Sequence, residues 1–179
     1  GSAGLPPVHT ELRIVDHDNV AVGPNERGEI CIKGPNIMKG YWNRPEATAN
    51  AIDEMGWFHS GDVGYIDEEG YLYICDRLKD MVITGGENVY PAEVESVLFE
   101  HPAIAEVAVI GLPDEKWGEA VTAVAAVTDG SDLTLEVLRD FAVSKLARYK
   151  LPSRLHIVEA LPRNPAGKVL KFELRETLA

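Results

Sequence analysis

Apolar and polar residues alternate over Glu11-Leu12-Arg13-Ile14-Val15 and then meet Asp16-His17-Asp18-Asn19, which predicts a strand closed by a turn. A second strand is predicted over Gly28 to Gly34, bounded by glycines. Pro45 to Ala51 predicts a short helix with proline in its first turn. Val63–Ile66 and Tyr71–Cys75 predict a hairpin around Asp67-Glu68-Glu69-Gly70. Residues 1–75 therefore read as mostly β. Beyond Lys79 the periodicity changes. Met81–Ile83 is a short apolar strand, and Pro91–Phe99 a helix with Val94, Val97 and Leu98 on one face. Ile104–Ile110, Val121–Val127 and Leu155–Val158 are strands rich in Val, Ile, Leu and Ala. Thr134–Leu146 is a helix carrying Leu135, Leu138, Phe141 and Ala142 inward, and Lys171–Leu178 a closing helix.

This pattern gives an α+β chain. A mostly β part, residues 1–78, precedes a small mixed α/β domain, residues 79–179. The boundary falls near Arg77 to Asp80, where β structure gives way to alternating strands and helices. The second part holds about 100 residues, enough for its own core. No 18-residue apolar run occurs, so no membrane span is expected, and no signal-peptide pattern opens the sequence.

Charge changes the picture more than composition. The net charge of -12 argues against a general nucleic-acid binder. Asp80 to Leu138 hold one basic residue, Lys116, whereas Arg139 to Arg175 hold nine basic residues against three acids. The basic stretch reads either as a solvated face or as a surface for an anionic ligand such as nucleotide or CoA phosphates. Cys31 and Cys75 form no CxxC pair and no disulfide framework, so both are expected to be buried, reduced thiols, in keeping with a cytoplasmic protein. The five histidines show no metal-ligand spacing, and no metal site is expected.

Four motifs carry candidate chemistry. Lys168 ends Pro162-Arg163-Asn164-Pro165-Ala166-Gly167-Lys168, a Gly-Lys pair that presents one ammonium on a mobile tether. A compact point charge of this kind suits a phosphate or a carboxylate becoming a mixed anhydride, although an isolated Gly-Lys is more often an exposed loop lysine. It is not a GxxxxGK phosphate loop, because Pro162 occupies the place of the first glycine. Gly56-Trp57-Phe58-His59-Ser60-Gly61-Asp62 sets Asp62 after a tight Ser-Gly turn. There its carboxylate either caps its own backbone or accepts two vicinal hydroxyls. Asp76-Arg77-Leu78-Lys79-Asp80 places Arg77 fifteen positions later. Thr84-Gly85-Gly86-Glu87-Asn88, running into Pro91-Ala92-Glu93-Val94-Glu95, is either a plain turn or a close backbone approach.

In chain order, with the Lys168 block last, these blocks resemble the C-terminal part of an acyl-CoA synthetase, a fatty-acid–CoA-ligase-like member of the adenylate-forming superfamily. The resemblance runs from Gly1 to near Leu178. It implies that Asp62 holds the ATP ribose, that Arg77 approaches the nucleotide, and that Lys79 is the hinge. Gly85, Gly86 and Glu87 would lie along the pantetheine channel, where a side chain at Gly86 would obstruct the thiol. Trp117, in Pro113-Asp114-Glu115-Lys116-Trp117-Gly118-Glu119, would form a flat wall for pantetheine or else a core aromatic. Tyr149 and Lys150 would meet the CoA nucleotide. Lys168 would be the catalytic lysine of adenylation and a site of reversible acetylation.

The Ser/Thr/Gly-rich phosphate loop and the acyl pocket of that superfamily are not in this sequence. It therefore reads as a fragment of an enzyme that uses ATP, with Mg2+ accompanying it but no ligand for it here, and CoA. Its partners would be a carboxylic acid, fatty or aryl, and the missing N-terminal domain. The fragment alone is expected to be inactive. Two alternatives remain at this point: an adenylation domain feeding a carrier protein, and a non-catalytic module whose uncovered apolar face drives self-association.

Overall fold

The computed structural model describes residues 1–128 and 130–179. The chain divides into two compact units, Gly1–Lys79 and Asp80–Ala179.

The first unit is one antiparallel sheet of four strands in sequential order. These are β1 (Glu11–Val15), β2 (Gly28–Lys33), β3 (Phe58–Ile66) and β4 (Leu72–Arg77), with a seven-residue helix α1 (Pro45–Ala51) between β2 and β3. Ile14, Val15, Ile30, Cys31 and Val63 are its buried side chains. On the β3–β4 pair, Tyr65 lies opposite Tyr73 and their rings stack 4.8 Å apart. Two expectations change here. Strand β3 starts at Phe58, five residues earlier than the apolar run suggests, so Ser60-Gly61-Asp62 lie inside a strand rather than in a turn. Cys31 is buried as expected, but Cys75 is only half-buried, because β4 is the edge of this sheet.

In the second unit the strands β5 (Val82–Thr84), β6 (Glu87–Val89), β7 (Ile104–Asp114), β8 (Gly118–Val127) and β9 (Arg154–Ile157) form a sheet ordered β6-β5-β8-β7. Strand β9 runs parallel to β8 over Thr122–Ala125, while β5 meets β8 at the other end, Thr84 opposite Gly118. The long β7–β8 pair is sandwiched between apolar layers on both faces, which is why its strands read as nearly unbroken apolar runs. Val109, Val121, Ala123 and Ala125 face helices α2 (Pro91–Leu98) and α3 (Leu135–Ala142), packing with Val94, Leu98, Leu138 and Ala142. Ala108, Ile110, Leu112 and Val124 face α4 (Lys171–Leu178) through Leu174, with Leu161 alongside.

Helix α3 is shorter than the apolar periodicity suggests. Thr134 caps it, its hydroxyl accepting from Val137 N–H at 3.4 Å, and after Ala142 the chain passes into turns that still bury Leu146. Leu98 is fully buried between α2 and the sheet. Leu98→Ala is expected to cost about 2–5 kcal/mol in denaturant unfolding, and a loss under about 1 kcal/mol would show that this core is not cooperative. No helix among the described residues is long and apolar enough to cross a membrane.

Candidate functional site

In the first unit, the sheet sets Asp62 on β3 directly opposite Arg77 on β4, and Arg77 Nε lies 3.4 Å from Asp62 Oδ1. The fifteen-residue spacing is thus a cross-strand pair. Both side chains remain accessible, at 34% for Asp62 and 50% for Arg77, so the carboxylate keeps acceptor capacity for a ligand. Lys79 lies in a single 3-10 turn, Leu78–Asp80, and is exposed.

The second unit builds a cleft from separate segments. Gly85 and Gly86 have φ of 60° and 85° and form the two-residue turn of the β5–β6 hairpin, Thr84 pairing with Glu87. The hairpin is missed by periodicity because β6, Glu87-Asn88-Val89, is short and mostly polar. The two glycines differ in kind. A Cβ on Gly85 would sit 2.9 Å from the Trp117 ring, whereas one on Gly86 would meet nothing within 4 Å. Gly85 N–H also donates to Trp117 carbonyl at 2.8 Å. Trp117 therefore lies on the hairpin backbone, half-exposed, as a wall rather than as core.

Trp117 is held by a residue that sequence reasoning passed over. Asp114 Oδ1 accepts from the N–H groups of Lys116 and Trp117, each at 3.0 Å, and its Oδ2 pairs with Arg154 Nη2 at 3.0 Å. The Trp117 N–H contributes most to holding the Asp114 carboxyl below its ordinary range; partial desolvation opposes this, and Lys116 N–H and Arg154 add to it.

A cleft of about 380 Å3 is lined by Thr84, Gly85, Glu87, Trp117, Arg139, Arg148 and Tyr149, with Val121, Leu151 and Ser153 below. Lys150 does not line it. Its ammonium is 2.5 Å from Glu93 Oε1, and only 13% of the side chain is exposed, so that charge is engaged in an ion pair. The positive groups of the cleft are the guanidinium groups of Arg148 and Arg139, the latter anchored to Pro152 carbonyl. Arg148 stood one residue before the tyrosine that the family resemblance selected. Two guanidinium groups beside two aromatic faces suit a polyanionic ligand with an aromatic or amide portion.

Lys168 sits on a tied hairpin, not a mobile tether. Asn164 N–H donates to Lys168 carbonyl at 2.9 Å, Asn164 Oδ1 accepts from Lys168 N–H at 2.9 Å, and Gly167, at φ 82°, closes the turn. Arg163 braces it, reaching Gly167 carbonyl at 2.7 Å and Glu106 at 3.0 Å. The backbone is fixed and only the four-carbon stem is free.

The basic stretch resolves in a way neither sequence reading anticipated. Lys145 pairs with Glu100, Lys150 with Glu93, Arg154 with Asp114, Arg163 with Glu106, Lys171 with Glu95 and Arg175 with Asp80. The acids of the preceding segment thus neutralise most of it. Arg139 bonds a carbonyl. Among the described residues, Arg148 and Lys168 are the basic side chains of this stretch left without a protein partner.

Cys31, Glu29 and His59 lie together, a grouping linear spacing does not reveal. Glu29 Oε2 is 2.8 Å from His59 Nδ1, and the Cys31 thiol is 3.5 Å from the same nitrogen. Burial, reinforced by the Glu29 charge, pushes the Cys31 thiol up to about 11, so it stays protonated at neutral pH and is a poor nucleophile.

The AMP-binding enzyme family matches residues 1–42, and the AMP-binding enzyme C-terminal domain family matches residues 93–168. The chain belongs to the AMP-binding enzymes. Over 176 residues this chain is 53% identical to the long-chain-fatty-acid–CoA ligase FadD13 of Mycobacterium tuberculosis, covering 98% of this chain and 34% of that protein. It is 49% identical to a feruloyl-CoA synthase of Amycolatopsis sp, covering 98% of this chain and 35% of the relative. The crystal structure of ATP-bound MatB from Rhodopseudomonas palustris superposes with a TM-score of 0.91 at 41% identity, over 99% of this chain and 35% of that one. The chain spans about a third of the length of the curated relatives it matches.

Proposed function

We propose that this chain supplies the ribose-binding, catalytic-lysine and thiol-channel parts of an ATP-dependent acid–thiol ligase. In the first half-reaction a carboxylate oxygen attacks the α-phosphate of ATP, giving acyl-AMP and pyrophosphate. In the second, the CoA thiol attacks the acyl carbon, loses its proton, and expels AMP. Asp62 accepts the ribose hydroxyls with Arg77 beside it, Lys168 neutralises charge gathering between carboxylate and α-phosphate, and the Trp117–Arg148–Tyr149 cleft receives CoA. Lys79 is the hinge between the two half-reactions. Mg2+ arrives with the triphosphate as part of the substrate, since this ion keeps several waters and leans on phosphate oxygens.

The observation that carries this reading is the charge accounting. Six basic side chains between Lys145 and Arg175 are matched by acids, and the two left over, Arg148 and Lys168, lie in the cleft and beside the turn of the braced hairpin. The acid is not set by this region. Relatives named for a long-chain fatty acid, for ferulate and for 2-succinylbenzoate align over the same span at 53%, 49% and 49% identity.

The test is acid-dependent pyrophosphate release by the full-length protein, followed by CoA-dependent release of AMP. Pyrophosphate release without any effect of CoA would shift the reading to an adenylation domain serving a carrier-bound thiol. Residues 1–179 alone are expected to show neither reaction, and turnover by this piece would overturn the division of labour.

A further inference from the structure

The pairing of β2 with β3 contains an irregularity at the place where Asp62 is presented. Glu29 lies opposite Val63, and Cys31 opposite His59. Between these pairs β2 has one residue, Ile30, and β3 has three, Ser60, Gly61 and Asp62. The strand must therefore bulge outward, and the bulge removes Gly61 N–H from the regular ladder. Gly61 accommodates this with φ of 70°, a conformation that costs little only without a Cβ.

The orphaned donor is satisfied by a side chain from the partner strand. Glu29 Oε1 accepts from Gly61 N–H at 3.0 Å. Glu29 Oε2 is 2.8 Å from His59 Nδ1, and because an ionised carboxylate only accepts, that ring nitrogen carries the proton. The other ring nitrogen of His59 lies 3.6 Å from Asp53, which accepts from Trp57 N–H at 2.8 Å and pairs with Arg13 at 3.3 Å. Glu29 and His59 are 17% and 21% exposed, so the clamp is largely withdrawn from solvent. One carboxylate thus grips the bulge at two points, at His59 before it and at Gly61 within it, adjacent to Asp62. Asp62 N–H is tied in turn to Ser60 Oγ at 3.1 Å.

We propose that Glu29, through His59 and Gly61, is a positioning residue that fixes the bulge from which Asp62 reaches the nucleotide ribose. This rests on the reading of Asp62 as the ribose ligand. Without the clamp the three-residue bulge has nothing to hold Gly61, and the Asp62 carboxylate loses its fixed direction beside Arg77. Two hydrogen bonds to vicinal hydroxyls demand that direction, and a merely stabilising contact elsewhere in the sheet does not.

The test compares adenylate formation from ATP, 2′-deoxy-ATP and 3′-deoxy-ATP in the full-length protein. A ribose ligand makes the native protein favour ATP, and Asp62→Ala should erase that preference. Glu29→Ala should lower the ATP-to-deoxy preference in kcat/KM by about tenfold or more, in line with losing charge-assisted hydrogen bonds to the hydroxyls. In the Asp62→Ala background it should add no further loss of preference. Glu29→Gln, which can still accept from Gly61 N–H and face the other His59 tautomer, should restore most of it. Equal loss with all three nucleotides would mark Glu29 as a structural residue only and overturn the inference. Should Glu29→Ala not fold, Glu29→Asp decides, since a side chain one methylene shorter cannot reach both partners. An unchanged preference there overturns the clamp. Asp62→Ala with native preference would remove the ribose reading itself, and that outcome is distinct from a failure of Glu29 alone.

Discussion

Lys168→Ala in the full-length protein is expected to lower acyl-adenylate formation by about two to three orders of magnitude, the scale on which loss of one preorganised charge donor is felt. Thioester formation from supplied acyl-adenylate should stay within about twofold of native. Lys168 has no carboxylate partner among the described residues, whereas its neighbours Arg163 and Lys171 are both paired. An ammonium left unpaired is available to a ligand without first breaking a protein contact. The hairpin beneath it is rigid, with Asn164 bonded to both N–H and carbonyl of Lys168, so the charge is delivered from a fixed root. That root should survive the substitution, because its bonds are made by the backbone of residue 168. Lys168→Arg should recover little, since a planar fork cannot replace a point charge on the same stem. The measurement is single-turnover pyrophosphate release beside thioester formation in the same preparation. Equal loss of both half-reactions would show that Lys168 serves folding or binding in general, and would sink its assignment to the first step.

The sequence was informative in unequal measure. Its apolar periodicities located most strands of both units, though not β6, and helices α2 and α4, because burial on one face or two leaves a direct trace; α1, which buries no side chain, was marked by its first-turn proline. It was silent where structure depends on polar groups meeting across space. Ser60-Gly61-Asp62 looks like a turn because turns and bulges draw on the same residues, and only pairing with β2 separates them. The acidic and basic stretches look like two surfaces in the linear sequence. In the fold Glu93, Glu95, Glu100, Glu106, Asp114 and Asp80 meet the later cations one by one. Nothing in the linear order shows that Glu93 lies beside Lys150, or that Arg148 lines the cleft. A usable signal did exist at Asp114. An aspartate two and three residues before Lys116 and Trp117 is the spacing of a side chain capping its own turn.

Gly86→Leu should produce the opposite lesion to Lys168→Ala, with thioester formation falling about a hundredfold or more while adenylation persists. Each part of that expectation has a separate physical origin. Gly86 has φ of 85°, so any L side chain there is strained, at a cost of about 1–2 kcal/mol. That strain lowers stability and touches both half-reactions alike. The specific effect comes from where the side chain must go. A Cβ at Gly86 meets no protein atom within 4 Å, so a leucine would not be absorbed by packing and would project from the hairpin tip into open space. If that space is the thiol path, the reacting sulfur is displaced, and a misplacement of about 1 Å is enough for a hundredfold loss. Gly85 supplies the control. Its Cβ would strike the Trp117 ring at 2.9 Å, so Gly85→Ala should shift the wall itself and weaken CoA binding, raising its KM. Gly86→Ala, with the same backbone strain and little bulk, isolates the strain from the obstruction. If Gly86→Ala and Gly86→Leu lose thioester formation equally, or if Gly86→Leu loses both half-reactions together, the hairpin tip is not the thiol channel. The cleft beside Trp117 would then have to bind its ligand for some other purpose.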